Sequence, residues 1–393
     1  MSTEGGERLA KGDQSAKVRV VLCWHMHQPN YVNPVSGDSE LPWTYLHAIK
    51  DYTDMVAHLE ANSGARAVVN FSPVLIEQIE DYARQVEGFL ASGERLRDPL
   101  LRALAQPVNP VGEEQRRQIM QQCRRINRER LVEPYPEYRQ LMEFSDVLEQ
   151  QPAMLRYIDE TFLVDFITWY HLAWLGETVR SSEPLAQRLI AKGSGFTLHD
   201  RRDLLALIGE QLGGLLERYQ RLAEAGQVEL SMTPYAHPIL PLLQDLQCAL
   251  EAWPEAPLPA QVQAYPGGEE RARWHLEHGR AVFERALGSQ PVGCWPSEGA
   301  VSGPTLRLLA ECGFKWAASG SGVLENSLND NSEGPPEDNS GWHRAYVCPA
   351  TASAAAPQPI RCFFRDDGLS DAIGFVYSGW HGDDAVGDSR RQQ

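Results

Sequence analysis

The sequence predicts an α/β fold, a parallel barrel with helical insertions. Three observations predict it. Short, nearly continuous apolar runs recur along the chain, as strands buried on both faces do. Stretches of helical character separate them, which argues for parallel strands joined by crossovers. Several runs end in polar or acidic residues, and barrels of this class place their chemistry at the C-terminal ends of strands.

Residues 1–17 are polar and charged and read as a disordered tail. The barrel is expected over 18–384, with a largely helical insertion at about 74–225 and a short tail at 385–393. Val18–Trp24 is the first expected strand, apolar enough to be buried on both faces. Ala67–Phe71 is the second, halted by Ser72-Pro73. Within the helical region Leu204, Ile208, Leu212, Leu215, Tyr219 and Leu222 recur at three- and four-residue spacing, and Gly226 supplies the stop. Val228–Met232 is the third strand. A helix over Arg271–Leu287 precedes the strand Pro291–Trp295, and a helix over Pro304–Cys312 precedes the strand Phe314–Ala318. Asn326–Gly341 reads as a surface loop, Ala345–Cys348 as a strand, and Ala350–Pro359 as an Ala/Pro connector before the strand around Phe363.

With 393 residues the chain can bury a large core. A net charge of −17 argues against the basic surface that nucleic acid or an anionic membrane requires, so neither partner is expected. Seven scattered cysteines without a C-x-x-C pair read as free thiols of a cytoplasmic protein. Neither a signal sequence nor an apolar membrane span is visible.

Two acidic strand ends carry the candidate chemistry. Gly293-Cys294-Trp295-Pro296-Ser297-Glu298 delivers one carboxylate, and Arg361-Cys362-Phe363-Phe364-Arg365-Asp366-Asp367 delivers two more. A pair of strand-end carboxylates is the minimum equipment for cleaving a glycosidic bond. Each also has a plainer reading, since Glu298 precedes a helix and Asp-Asp-Gly is a good turn. His25 and His27, two apart in extended chain, point to one side and suit sugar binding, metal ligation or structural hydrogen bonds. His237 ends another strand. His275 and His278 are expected on a solvated helix face.

Together these segments resemble glycoside hydrolase family 57, the α-glucan-active enzymes of the α-amylase, amylopullulanase and 4-α-glucanotransferase type, and the resemblance implies that the α/β barrel is an incomplete (β/α)7 TIM-like barrel with helical insertions. The likeness rests on Trp24-His25-Met26-His27-Gln28-Pro29, on Gly226–Leu230 with Thr233–Pro241, on Gly293–Glu298, and on Phe364–Phe375, in that order, with Leu46–Tyr52 in addition. It implies a retaining hydrolase or transglycosylase acting on an α-glucan or oligosaccharide, with Glu298 as nucleophile and Asp366 as acid/base, Asp367 being the rival. His25, His27, Gln28, His237, Glu77 and Trp295 are the implied substrate-binding residues. The chemistry needs no cofactor and no metal. As acid, Asp366 has to hold its proton; crowding by Glu298 and Asp367 favours this, and an inward Arg365 opposes it.

The chain departs from the family pattern at Ser319-Gly320-Ser321-Gly322, where relatives commonly carry acids. Relatives also continue into a helical C-terminal region with a fifth motif, so the resemblance implies a C-terminally short member. Two other readings compete. One is a metal-dependent deacetylase or mannosidase-like hydrolase in which His25, His27 and an aspartate hold Zn²⁺; the other is an inactive glucan-binding fragment.

Overall fold

The computed structural model describes residues 20–106, 112–252, 255–262, 264–329, 344–348 and 358–377. Among them seven strands form one sheet in the order β1-β2-β3-β4-β5-β7-β6. The strands are β1 (Leu22–Met26), β2 (Ala67–Phe71), β3 (Val228–Met232), β4 (Gly293–Cys294), β5 (Trp316–Gly320), β6 (Tyr346–Cys348) and β7 (Ile360–Arg365). All neighbours are parallel except β6, which runs antiparallel along β7. Among the described residues β1 pairs with β2 alone, so the sheet is an unclosed barrel.

One register row explains the core. Met26, Phe71, Met232, Cys294, Ala317 and Cys362 are aligned across the sheet and all are buried. This row faces the helices: Phe71 meets Tyr219 edge-on, with ring centroids 5.2 Å apart. Tyr219 belongs to the helix Leu198–Glu224, which begins on a Thr197/Asp200 capping box and is followed by left-handed Gly226 (φ 68°). The leucine stripe read from the sequence is its buried face.

Alternation turns the neighbouring rows to the opposite face. Gly293 lets Trp316 lie across that face, since a Cβ there would sit 1.9 Å from the indole Cε2. Trp316 is fixed by donating to Glu229, at 2.6 Å.

Several expectations change. β1 is not buried on both faces: Leu22 is 43% exposed and Cys23 is exposed, because β1 lies at the sheet edge with one neighbour. The strand begins at Leu22 rather than Val18; Val20 and Val21 are exposed, and residues 18 and 19 lie outside the described residues. β4 shrinks to two residues, since Pro291 and Pro296 cannot donate to a ladder. Asn326–Asn329, expected in a loop, ends the helix Ser321–Asn329. The rest of that loop, most of the Ala/Pro connector and both expected tails lie outside the described residues. All seven cysteines are free, and no helix among the described residues is long and apolar enough to cross a membrane.

Candidate active site

Because six strands run in one direction, their C-terminal ends share one side of the molecule. His25 on β1, Asn70 on β2 and Ser231 on β3 are in register. They form a chain: His25 Nδ1 lies 2.7 Å from Asn70 Oδ1, and Asn70 Nδ2 donates to Ser231 Oγ at 3.0 Å. An amide oxygen accepts only, so this arrangement assigns the proton of neutral His25 to Nδ1 and leaves Nε2 as an acceptor. Asn70 and Ser231 are wholly buried and were not singled out from sequence. Their signal was present, as polar residues inside otherwise apolar strands.

Two residues on, His27 Nδ1 lies 3.0 Å from Ser72 Oγ. Ser72 sits at the N-cap of the helix Pro73–Ser92, yet its side chain does not cap it. The hydroxyl serves the histidine instead. Gln28 Oε1 accepts from the Tyr31 hydroxyl at 2.8 Å.

His237 completes a histidine stack. Its ring lies 4.1 Å from that of His27 at 19° and 5.4 Å from that of His25. Burial, then the neighbouring His237 and His25, push the His27 pKa down to about 4. Burial also lowers the pKa of His237, against the pull of Glu298, and of His25, against its bond to Asn70. All three are therefore neutral near pH 7, suited to exchanging hydrogen bonds with hydroxyls.

Glu298 stands beside this stack, its Oε1 3.8 Å from His237 Nδ1. Its side chain is 70% exposed while that of His237 is 13% exposed. Among the described residues, these two are the non-glycine positions with left-handed backbone, φ 59° at His237 and φ 58° at Glu298. Such conformations cost about 1 kcal/mol or more and concentrate at functional sites.

The second acidic end lies across β5. Strands β4 and β7 flank β5, which sets their axes roughly 9–10 Å apart. The gap is bridged. Ser319 Oγ donates to Gly299 O at 2.5 Å, and Ser321 Oγ donates to Asp367 Oδ2 at 2.8 Å. Arg365 donates to Asp367 Oδ1 at 2.6 Å and lies over the Trp295 ring at 5.9 Å. The Ser-Gly-Ser segment that departs from the family pattern is thus the tie between the two motifs. Asp367 is partly buried, but Ser321, Arg365 and Gly322 outweigh that burial and hold its carboxyl below the usual range. Asp366 is exposed and accepts from Leu369 N at 2.8 Å, capping the short helix Asp367–Asp371.

Glu77 accepts from the Tyr235 hydroxyl at 2.5 Å. His275 and His278 are not on a solvated face as expected. Both are half-buried against Tyr235, whose backbone N donates to His275 O at 3.1 Å. Among the described residues no group of three His, Cys, Asp or Glu side chains is placed to hold a metal ion.

Solved structures resemble the chain at low identity. An α-amylase of Thermotoga maritima is 14% identical, with 90% of this chain and 46% of that one covered and a TM-score of 0.46. A branching enzyme of Pyrococcus horikoshii is 18% identical, with 92% and 50% covered and a TM-score of 0.42. One of Thermococcus kodakaraensis is 16% identical, with 91% and 49% covered and a TM-score of 0.42. The chain spans about half the length of these structures. No curated protein matches it. The family assignment rests on the sequence profile, which runs through all the motif-bearing strand ends just described: by its match to residues 21–390, the chain belongs to glycosyl hydrolase family 57.

Proposed function

We propose that this chain carries the catalytic residues of a retaining glycoside hydrolase or transglycosylase acting on α-glucans. The observation that carries the reading is the pairing of His237 with Glu298, two residues with strained backbone whose side chains lie beside the His25/His27 stack.

In the proposed reaction a Glu298 carboxylate oxygen attacks the anomeric carbon. The glycosidic C–O bond breaks, and the proton of Asp366 passes to the departing oxygen. Water, or a sugar hydroxyl in transfer, then gives its proton back to Asp366 while its oxygen displaces Glu298. Asp366 fits the donor role better than Asp367, because Asp367 spends its carboxylate on Ser321, Gly322 and Arg365. The neutral histidines, Gln28 and Trp295 bind the sugar on either side. Retention requires the two carboxyl groups about 5–5.5 Å apart in the substrate complex.

The test is anomer analysis by proton NMR on maltooligosaccharides, with wild type and Glu298→Gln. A product that first appears as the α anomer, and that Glu298→Gln does not form, supports the reading. Undiminished turnover by Glu298→Gln removes the nucleophile assignment. Binding without turnover by the wild type assigns a glucan-binding role instead.

A further inference from the structure

The helix Gly268–Leu287 carries an aromatic group that the site above does not use. Trp274 is 49% exposed, yet its ring is fixed. His278, one turn on, stacks against it with centroids 4.6 Å apart at 12°. Tyr235 meets the indole edge-on at 5.5 Å, as does His275 at 5.0 Å. Tyr235 is itself anchored through its hydroxyl to Glu77, and its backbone N donates to His275 O. The indole is therefore held in one orientation, with one broad face occupied by His278.

Its position ties it to the candidate site. Tyr235 lies two residues before His237, on the loop that leaves β3. The helix precedes β4, so its N-terminal half, with Trp274, lies at the same end of the sheet as the histidine stack. Around the ring, Glu270, Arg271 and Glu277 are exposed and charged, which leaves no broad apolar patch for a protein interface core. A single rigid aromatic face ringed by polar groups suits a pyranose, which offers C–H bonds on one face and hydroxyls at its rim. Tyr265, exposed and lying under the Arg271 guanidinium at 5.4 Å, adds a second ring near the same helix.

We propose that Trp274 forms a sugar-stacking platform outside the catalytic cleft, which holds a long α-glucan whose other end lies at Glu298. This rests on the α-glucan reading above. The platform rewards chain length: it adds nothing for a substrate too short to reach it.

Affinity electrophoresis of the full chain in gels containing glycogen tests the proposal, with Glu298→Gln used as background to prevent degradation. Trp274→Ala in that background should weaken retardation at least fivefold, and Trp274→Phe should restore part of it. Thermal unfolding of each variant checks folding, which removal of a half-exposed ring should leave intact. Equal retardation of Trp274→Ala and its background overturns the platform and leaves the α-glucan reading standing. Absence of retardation in every variant also overturns the platform. Turnover of maltooligosaccharides by the wild type then shows whether the α-glucan reading survives.

Discussion

His237 Nδ1 lies 3.8 Å from Glu298 Oε1, and both residues hold left-handed backbone without being glycine. The loop after β3 and the turn after β4 are each strained at the side chain that meets the other. Glycine relieves such strain by about 1 kcal/mol. His237→Gly and Glu298→Gly should therefore unfold at higher denaturant than His237→Ala and Glu298→Ala, while all four lose turnover. Equal midpoints for the glycine and alanine variants would show that the backbone is not held in this form.

Asp366 and Asp367 should separate by leaving group. General acid catalysis contributes about 10²–10⁴-fold. Asp366→Asn should lose that much turnover on a glucan and far less on an aryl glycoside whose phenol departs without a proton. Asp367→Asn should instead lower the unfolding temperature, because it breaks the ties to Arg365 and Ser321. The opposite pattern makes Asp367 the acid.

The buried Asn70 sets the proton of His25. A carboxylate at that place favours the charged imidazole, so Asn70→Asp should move the acid limb of kcat/KM to higher pH. Histidine titration by NMR should show the same displacement. A profile that stays where it was separates His25 from substrate recognition.

Gln28 is held from two sides, since Tyr31 donates to its Oε1 and the Tyr52 side chain is a second hydrogen-bond partner, and together they orient its amide. Losing one such bond costs about 1 kcal/mol. Tyr31→Phe should raise KM by about fivefold with kcat little changed, as measured on maltooligosaccharides. An unchanged KM refutes the orientation.

Acid should destabilise the fold through a buried histidine. His171 is fully buried between the Tyr45 hydroxyl and Ile167 O, and burial pushes its pKa from 6.5 down to about 4. The unfolded chain takes up that proton near pH 6.5 and the folded chain only near 4. Its contribution is complete above about pH 6.5 and is lost as pH falls towards 4, by about 3 kcal/mol in all. His27 acts in the same direction. Urea unfolding at pH 7.5 and 4.5 should show the loss, and His171→Gln should flatten it.

The strand ends were legible because each is a local event. An apolar run stopping at His25-Met26-His27, at Ser72-Pro73 or at Trp295-Pro296 needs no partner to be read. The helix Leu198–Glu224 was legible for the same reason, through its stripe and Gly226. The failures were non-local. The exposure of β1 depends on its having one neighbour, and β4 is shortened by prolines whose effect depends on which strands lie beside it.

The sequence by itself determined the α/β class, the motif order and the candidate residues for chemistry, since residue type and spacing are written along the chain. Only tertiary structure decided what those residues do for one another. Hydrogen bonds such as His25–Asn70–Ser231 join positions up to 161 residues apart, and the Ser-Gly-Ser tie between two acidic motifs exists because β5 lies between β4 and β7. Strand order is a property of packing, and periodicity along one strand carries no record of its neighbours.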